Sequence, residues 1–175
     1  MQVKRVVVGV TSSAGSLQAL RFAADLARYH EAMLIAVHAW MPPGGEMADR
    51  RYPSPELRAV WERAAWDRFW AAVELALGGT PAEVGFMPEV LRSEPGQALV
   101  LLAREPGDVL VIGTGRHGPL RRMMRCHVAR YCLAHAVCPV VAVPPSQLAD
   151  AVHGLRGFLD RHRLHPEDAE LRIEA

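Results

Sequence analysis

Lysine is almost missing from this chain. Of its 20 basic residues only Lys4 is a lysine, and no function follows from that bias. Cysteine is scarce as well. Cys126, Cys132 and Cys138 are an odd number in a chain of 175 residues, which excludes a disulfide scaffold and fits a reducing cytoplasm. No segment approaches the ~20 apolar residues of a membrane span. The apolar run Val6 to Val10 is too short for the core of a signal peptide. Net charge is +1, so no excess of one sign marks a general nucleic-acid binder. No Gly-x-Ser-x-Gly elbow, Walker lysine motif or His-Glu-x-x-His is found. The Ser-Gly-Gly and His-x-Gly-His signatures of carboxylate-activating enzymes are missing too. Asp and Glu are absent from residues 109–149, although Arg116, Arg121, Arg122, Arg125 and Arg130 lie there.

What remains reads as one soluble domain, half hydrophobic and 22% charged. Residues 3–10 form a β-branched run expected as a strand buried on both faces. A turn, Thr11-Ser12-Ser13-Ala14-Gly15-Ser16, follows and offers serines that can cap a helix running to Tyr29. Residues 33–40 read as a second strand. From Met41 to Pro55 runs a Pro- and Gly-rich loop of about 15 residues, longer than usual connections. Residues 55–77 are the clearest helix. Leu57, Val60, Trp61, Ala64, Ala65, Phe69, Ala72, Val73 and Ala76 make its stripe, and Gly78-Gly79 end it. Trp66 falls off that stripe, with simple packing the preferred reading and a contact surface the other. A weaker strand over 83–92, a short helix over 97–104 and strands over 109–113 and 139–143 complete the pattern, with Pro119 opening a helix between the last two.

Alternation of short strands with helices predicts an α/β fold. It is a single open parallel five-stranded sheet in the order 3-2-1-4-5, wound by right-handed crossovers with helices on both faces. Such a sheet opens a crevice where the order reverses, at the carboxyl ends of the first and fourth strands. The turns 11–16 and 113–118 face it. Residues 1–145 form this domain. Residues 146–175 form a separate tail, an amphipathic helix on Leu148, Val152, Leu155 and Leu159 with a frayed acidic end.

Three stretches stand out: Val6-Val7-Val8-Gly9-Val10-Thr11-Ser12-Ser13, then Val111-Ile112-Gly113-Thr114-Gly115-Arg116-His117-Gly118, then Val128-Ala129-Arg130-Tyr131-Cys132-Leu133-Ala134-His135-Ala136-Val137-Cys138-Pro139-Val140. Together they resemble the universal stress protein family. His38-Ala39-Trp40 after the second strand also fits, and the match covers residues 1–144. The resemblance implies an adenine nucleotide alpha hydrolase-like fold and, in members that bind it, ATP in the crevice. The site it implies consists of Val10, Thr11, Ser12, Ser13, His38, Gly113, Gly115, Arg116, Gly118, Cys126, His127 and Val128.

In two places this chain departs from the nucleotide-binding pattern. Thr11 stands where the family's first strand ends in an Asp. In the phosphate loop the family has Gly-x-x-Gly and, further on, Gly-Ser or Gly-Thr. Here Arg116 takes the second Gly position and Cys126-His127 replace the final pair. Glycine lets backbone amides approach a phosphate, and a side chain there blocks them. Each lost contact costs about 1–3 kcal/mol. Arg116, Arg121, Arg122 and Arg125 with His117 and His127 either clamp an anion by side chain, or Leu120, Met123, Met124, His127, Val128 and Tyr131 form the apolar face of the helix and leave Arg121, Arg122 and Arg125 on its solvated face. Both readings stand, the solvated face being preferred.

Other chemistry is thinner. The spacing of Cys126, Cys132, His135 and Cys138 is not that of a zinc site, and core cysteines are the expected reading. Cys126 among arginines is in a setting that lowers a thiol's pKa, which makes it the candidate redox residue. His38 faces the crevice edge or the core. The function expected is a stress-response regulatory module without turnover, with ATP binding weak or lost. The resemblance implies a homodimer paired along the edge strand that starts at Pro139 and ends at Val143, and the C-terminal tail is expected at that edge, with an unknown protein partner besides. The alternative is an ATP- or AMP-binding stress protein, at most a slow ATPase. A metal-dependent phosphotransferase needs a carboxylate near the phosphates, and Asp108 is at the wrong end of its strand. A flavin carrier on a similar sheet is a third, weaker reading.

Overall fold

The structure, a computed structural model, describes residues 2–114 and 119–145; for residues 119–126 it describes the backbone alone. The tail expected over 146–175 lies outside the described residues.

Five strands, β1 (Arg5–Gly9), β2 (Met33–Trp40), β3 (Phe86–Arg92), β4 (Asp108–Gly113) and β5 (Val140–Val143), form one sheet in the order β3-β2-β1-β4-β5. All four pairings are parallel, with Val6 beside Leu34 and Val109. Helices α1 (Ala14–His30), α2 (Gly45–Arg51), α3 (Pro55–Leu77), α4 (Pro95–Leu102) and α5 (Pro119–His135) connect them.

Strand side chains alternate between faces, and this sheet uses both. Val6, Val8, Leu34, Ala36, Val109 and Val111 enter one apolar layer with α1 and α3. Val7, Ile35, Val37, Leu110 and Ile112 enter the other with Ala98 and Leu99 of α4 and Cys132 of α5. Two covered faces explain why the strands read as unbroken apolar runs. Each fully buried Val, Leu or Phe contributes about 1.5–3 kcal/mol.

Local signals set the helix ends. Ser13 caps α1 by accepting from the Ser16 amide. Ser54 caps α3 by accepting from the Leu57 amide at 3.3 Å, and Pro55 takes the first helical position. Gly78 ends α3 at φ 72°, its amide donating to the Glu74 carbonyl.

Two expectations are corrected. The stretch from Met41 to Pro55 is not all loop, because it holds α2. Asp49 of α2 is 3% exposed and takes hydrogen bonds from Arg58 on α3 and Arg92 at the end of β3. Those partners, not local propensity, hold so short a helix. On α3, Trp66 packs on the core edge-to-face with Phe69, the preferred of its two readings. Leu57 and Val60, expected in the buried stripe, are exposed instead.

Candidate functional site

β1 and β4 run side by side and end in glycine, Gly9 and Gly113. Beyond β1 the chain turns through Thr11 to Ser16 into α1. Ser16 closes this turn. Its hydroxyl donates to the Gly9 carbonyl at 2.9 Å and accepts from the Thr11 amide at 2.8 Å. Thr11 Oγ1 and Ser13 Oγ lie 3.0 Å apart in a hydrogen bond. The Thr11 hydroxyl therefore faces a neighbour in its own turn, where a carboxylate would carry charge to the rim.

The two turns meet. A Cβ placed on Gly113 would lie 2.6 Å from the Gly15 carbonyl carbon and 2.9 Å from the Ser16 amide nitrogen. Only a residue without a side chain lets the end of β4 pass the first turn of α1 so closely. Gly9 is looser, since a Cβ there would come no nearer than 3.2 Å to another atom, Cδ1 of Leu99.

A cavity of about 170 Å³ opens at this junction. Thr11, Ser13, Gly15 and Ser16 form its polar side, and Pro95, Leu99, Ile112 and Val128 its apolar side. No charged residue lines it among the described residues.

Of the residues expected at the site, the structure brings Thr11, Ser13, Gly113 and Val128 to this cavity. Others sit elsewhere. Val10 is buried in the core at 1% exposure, and Ser12 is exposed outside the cavity. His38 is buried and does not line the cavity. Its Nδ1 lies 2.8 Å from the Val10 carbonyl, an acceptor only, so Nδ1 donates and the ring ties β2 to the end of β1. His127, expected on the apolar face of α5, is exposed and lines a small neighbouring recess with Glu94, Gln97 and Tyr131. Gly115, Arg116 and Gly118 lie outside the described residues, as do the side chains of Cys126 and of Arg121, Arg122 and Arg125. Among the lining residues, Gly9, Gly15, Ser16, Pro95, Leu99, Ile112 and Ala129 were not expected as site residues, although Gly15 and Ser16 lie in the turn expected to face the crevice. Gly9 at a strand end was a usable signal, whereas the α4 residues reach the cavity only through packing between helices.

Charge gathers away from the cavity. Over the carboxyl ends of β2 and β3, Arg92 bonds Glu46 at 2.8 Å through both Nε and Nη2 and reaches Asp49 at 2.6 Å. Its guanidinium also lies 5.9 Å from the centre of the Trp40 ring. Hydrogen bonds from Arg58 and then Arg92 hold the Asp49 carboxyl below its ordinary range against desolvation, and Arg92 does the same for Glu46. At the opposite end of the sheet, Asp108 accepts from Arg5 Nε and Nη2, both at 2.7 Å, and from the Glu105 amide at 2.8 Å. Desolvation pushes that carboxyl up, but these hydrogen bonds outweigh it and hold it below the usual range. Asp108 is thus committed at the end of β4 remote from the cavity. Cys132 lies in the apolar layer, where burial pushes its thiol up to about 11, and burial raises Cys138 as well. The described residues contain no group of three metal-ligating side chains, and no described helix is long and apolar enough to cross a membrane.

The family model of the universal stress proteins matches residues 2–144. The chain belongs to the universal stress protein family. Solved structures agree. A universal stress protein in complex with cAMP is 26% identical, with a TM-score of 0.53, over 83% of this chain and 100% of that one. Universal stress protein UspA from Lactobacillus plantarum is 20% identical, with a TM-score of 0.58, over 82% and 99%. A hypothetical protein solved as a test case of structural genomics is 16% identical, with a TM-score of 0.63, over 84% and 99%. The last two share the fold with this universal stress protein. Curated proteins gave no match to the sequence.

Proposed function

We propose that this universal stress protein is a regulatory binding module without turnover, whose crevice receives an adenine nucleotide and holds ATP weakly. The observation that carries this reading is the cavity between the turn of Thr11 to Ser16 and Gly113. Small residues and hydroxyls on one wall, with Leu99, Ile112 and Val128 on the other, suit a ligand with an apolar ring and a polar sugar edge. The relative bound to cAMP, at 26% identity, supports the same ligand class. Weak ATP binding follows from Arg116, Cys126 and His127, which stand in the sequence where phosphate-binding members are small. With no carboxylate lining the described cavity, a metal-assisted phosphoryl transfer has no protein ligand to start from.

The signal leaves the protein through association. Among the described residues β5 pairs with β4 alone and ends the sheet, and an edge strand of this kind can pair with a second copy. The free thiols of Cys132 and Cys138, the first buried and the second half-buried, suit a reducing cytoplasm.

Calorimetric titration with ATP, ADP, AMP and cAMP tests the reading, on the wild type and on Arg116→Gly/Cys126→Gly/His127→Ser. The wild type binds the mononucleotides, and the triple variant gains at least about tenfold in ATP affinity, the equivalent of one recovered contact. Tight ATP binding by the wild type, with release of phosphate, sinks the proposal.

A further inference from the structure

A second recess, of about 50 Å³, adjoins the cavity and shares Pro95 and Val128 with it. The two differ in chemistry. No charged residue lines the cavity among the described residues, and the Thr11 and Ser13 hydroxyls are hydrogen-bonded to each other. The recess is lined by Glu94, Gln97, His127 and Tyr131. Glu94 is the residue before α4, and its side chain makes no capping hydrogen bond, so the carboxylate is not spent on the amides of that helix. The backbone around it is fixed. The Ser93 amide donates to the Trp40 carbonyl at 3.1 Å, and the Glu94 carbonyl accepts from the Ala98 amide at 3.0 Å. Gly96 brings α4 against the Tyr131 ring, since a Cβ there would lie 2.9 Å from Cδ1 of Tyr131. His135 stacks on the same ring, with centroids 4.1 Å apart. A site held in this way needs little ordering when a ligand arrives.

We infer that this recess takes the neighbouring 2′- and 3′-hydroxyls of a ribose whose base lies in the cavity, with Glu94 as the residue that selects ribose over deoxyribose. The inference rests on the adenine-nucleotide reading of the cavity and deepens it. A carboxylate only accepts hydrogen bonds, and its two oxygens match two adjacent hydroxyl donors. The hydroxyl oxygens accept in turn, and the Gln97 amide supplies N–H donors. His127 closes the recess from the side of α5. A phosphate is anionic and offers acceptors, so Glu94 repels it and the recess receives the sugar rather than the phosphate chain. Its volume holds a pair of hydroxyl groups and not a second ring.

Calorimetric titration of the full chain with AMP, 2′-deoxy-AMP and 3′-deoxy-AMP tests this. The wild type holds AMP about tenfold more tightly than either deoxynucleotide, the equivalent of one hydrogen bond to a charged group. In Glu94→Ala, at an exposed position with no cap to lose, that ratio falls to about one. Glu94→Gln keeps one acceptor and gives an intermediate ratio. Thr11→Ala, whose hydroxyl is held within its own turn, changes the affinity for all three ligands alike. Equal wild-type binding of AMP and its deoxy forms, or a ratio that survives Glu94→Ala, overturns the inference and leaves the adenine-nucleotide reading in place. Failure of the wild type to bind any of the three removes both.

Discussion

The two ends of the β1–β4 pair were built from the same neighbouring strands and came out opposite. At the amino ends Arg5 and Asp108 stand in register and fill the space with a charge pair. The Asp108 side chain is fully buried, and both its oxygens accept hydrogen bonds. At the carboxyl ends Gly9 and Gly113 leave room, the α1 turn closes on its own hydroxyls, and a cavity remains. One end is committed to stability and the other is kept available for a ligand. A buried charge is tolerable only when paired and hydrogen-bonded, so the amino end can do nothing else. The carboxyl end uses small, neutral groups whose needs are met locally, and this keeps the opening between them.

Breaking the committed end has the largest effect. Arg5→Met leaves the Asp108 carboxylate buried without its partner and costs about 3 kcal/mol in urea unfolding, the low side of the range because Arg5 keeps some solvent. Nucleotide titrations of this variant are unchanged while it remains folded. The loss depends on pH. Because the folded carboxyl titrates below its unfolded counterpart, its contribution is whole above about pH 4 and disappears as pH falls through the folded value. The stability gap between wild type and Arg5→Met therefore narrows below about pH 4, and a gap that widens there contradicts the pairing. Next comes the open end. Gly113→Ala drives a methyl group into the Gly15 backbone, costs about 2 kcal/mol and weakens nucleotide binding as well. An alanine variant with unaltered melting temperature would show that the turns do not meet. Smallest is Ser13→Ala, which removes the α1 cap for about 1 kcal/mol and one hydroxyl from the cavity wall. Its effect is read by the same two measurements.

Much of the fold was legible because its causes are local. β-branched runs, capping serines, Pro55 and the Gly78 stop each act within a few residues, and the helix from 55 to 77 is found with the expected ends. Half of the candidate site was legible for the same reason, since Thr11, Ser13 and Gly113 sit in turns that the strand pattern places at one rim. α2 was not legible, because what holds Asp49 arrives from Arg58 and from Arg92, 43 residues on. His38 was ambiguous until the Val10 carbonyl was found beside its ring. Leu99 joins the cavity wall because α4 and α5 pack under β1 and β4, which no spacing within α4 expresses.

The sequence alone determined which segments are strands and helices, the doubly covered sheet and its strand order, because periodicity and short, right-handed connections act along the chain. Tertiary structure alone decided which side of α3 finds a core, where Asp49 finds its arginines, and that Gly113 rather than a larger residue must stand against Gly15. Those outcomes depend on distances between segments far apart in the chain, and an apolar or charged side chain carries no record of which distant surface will reach it.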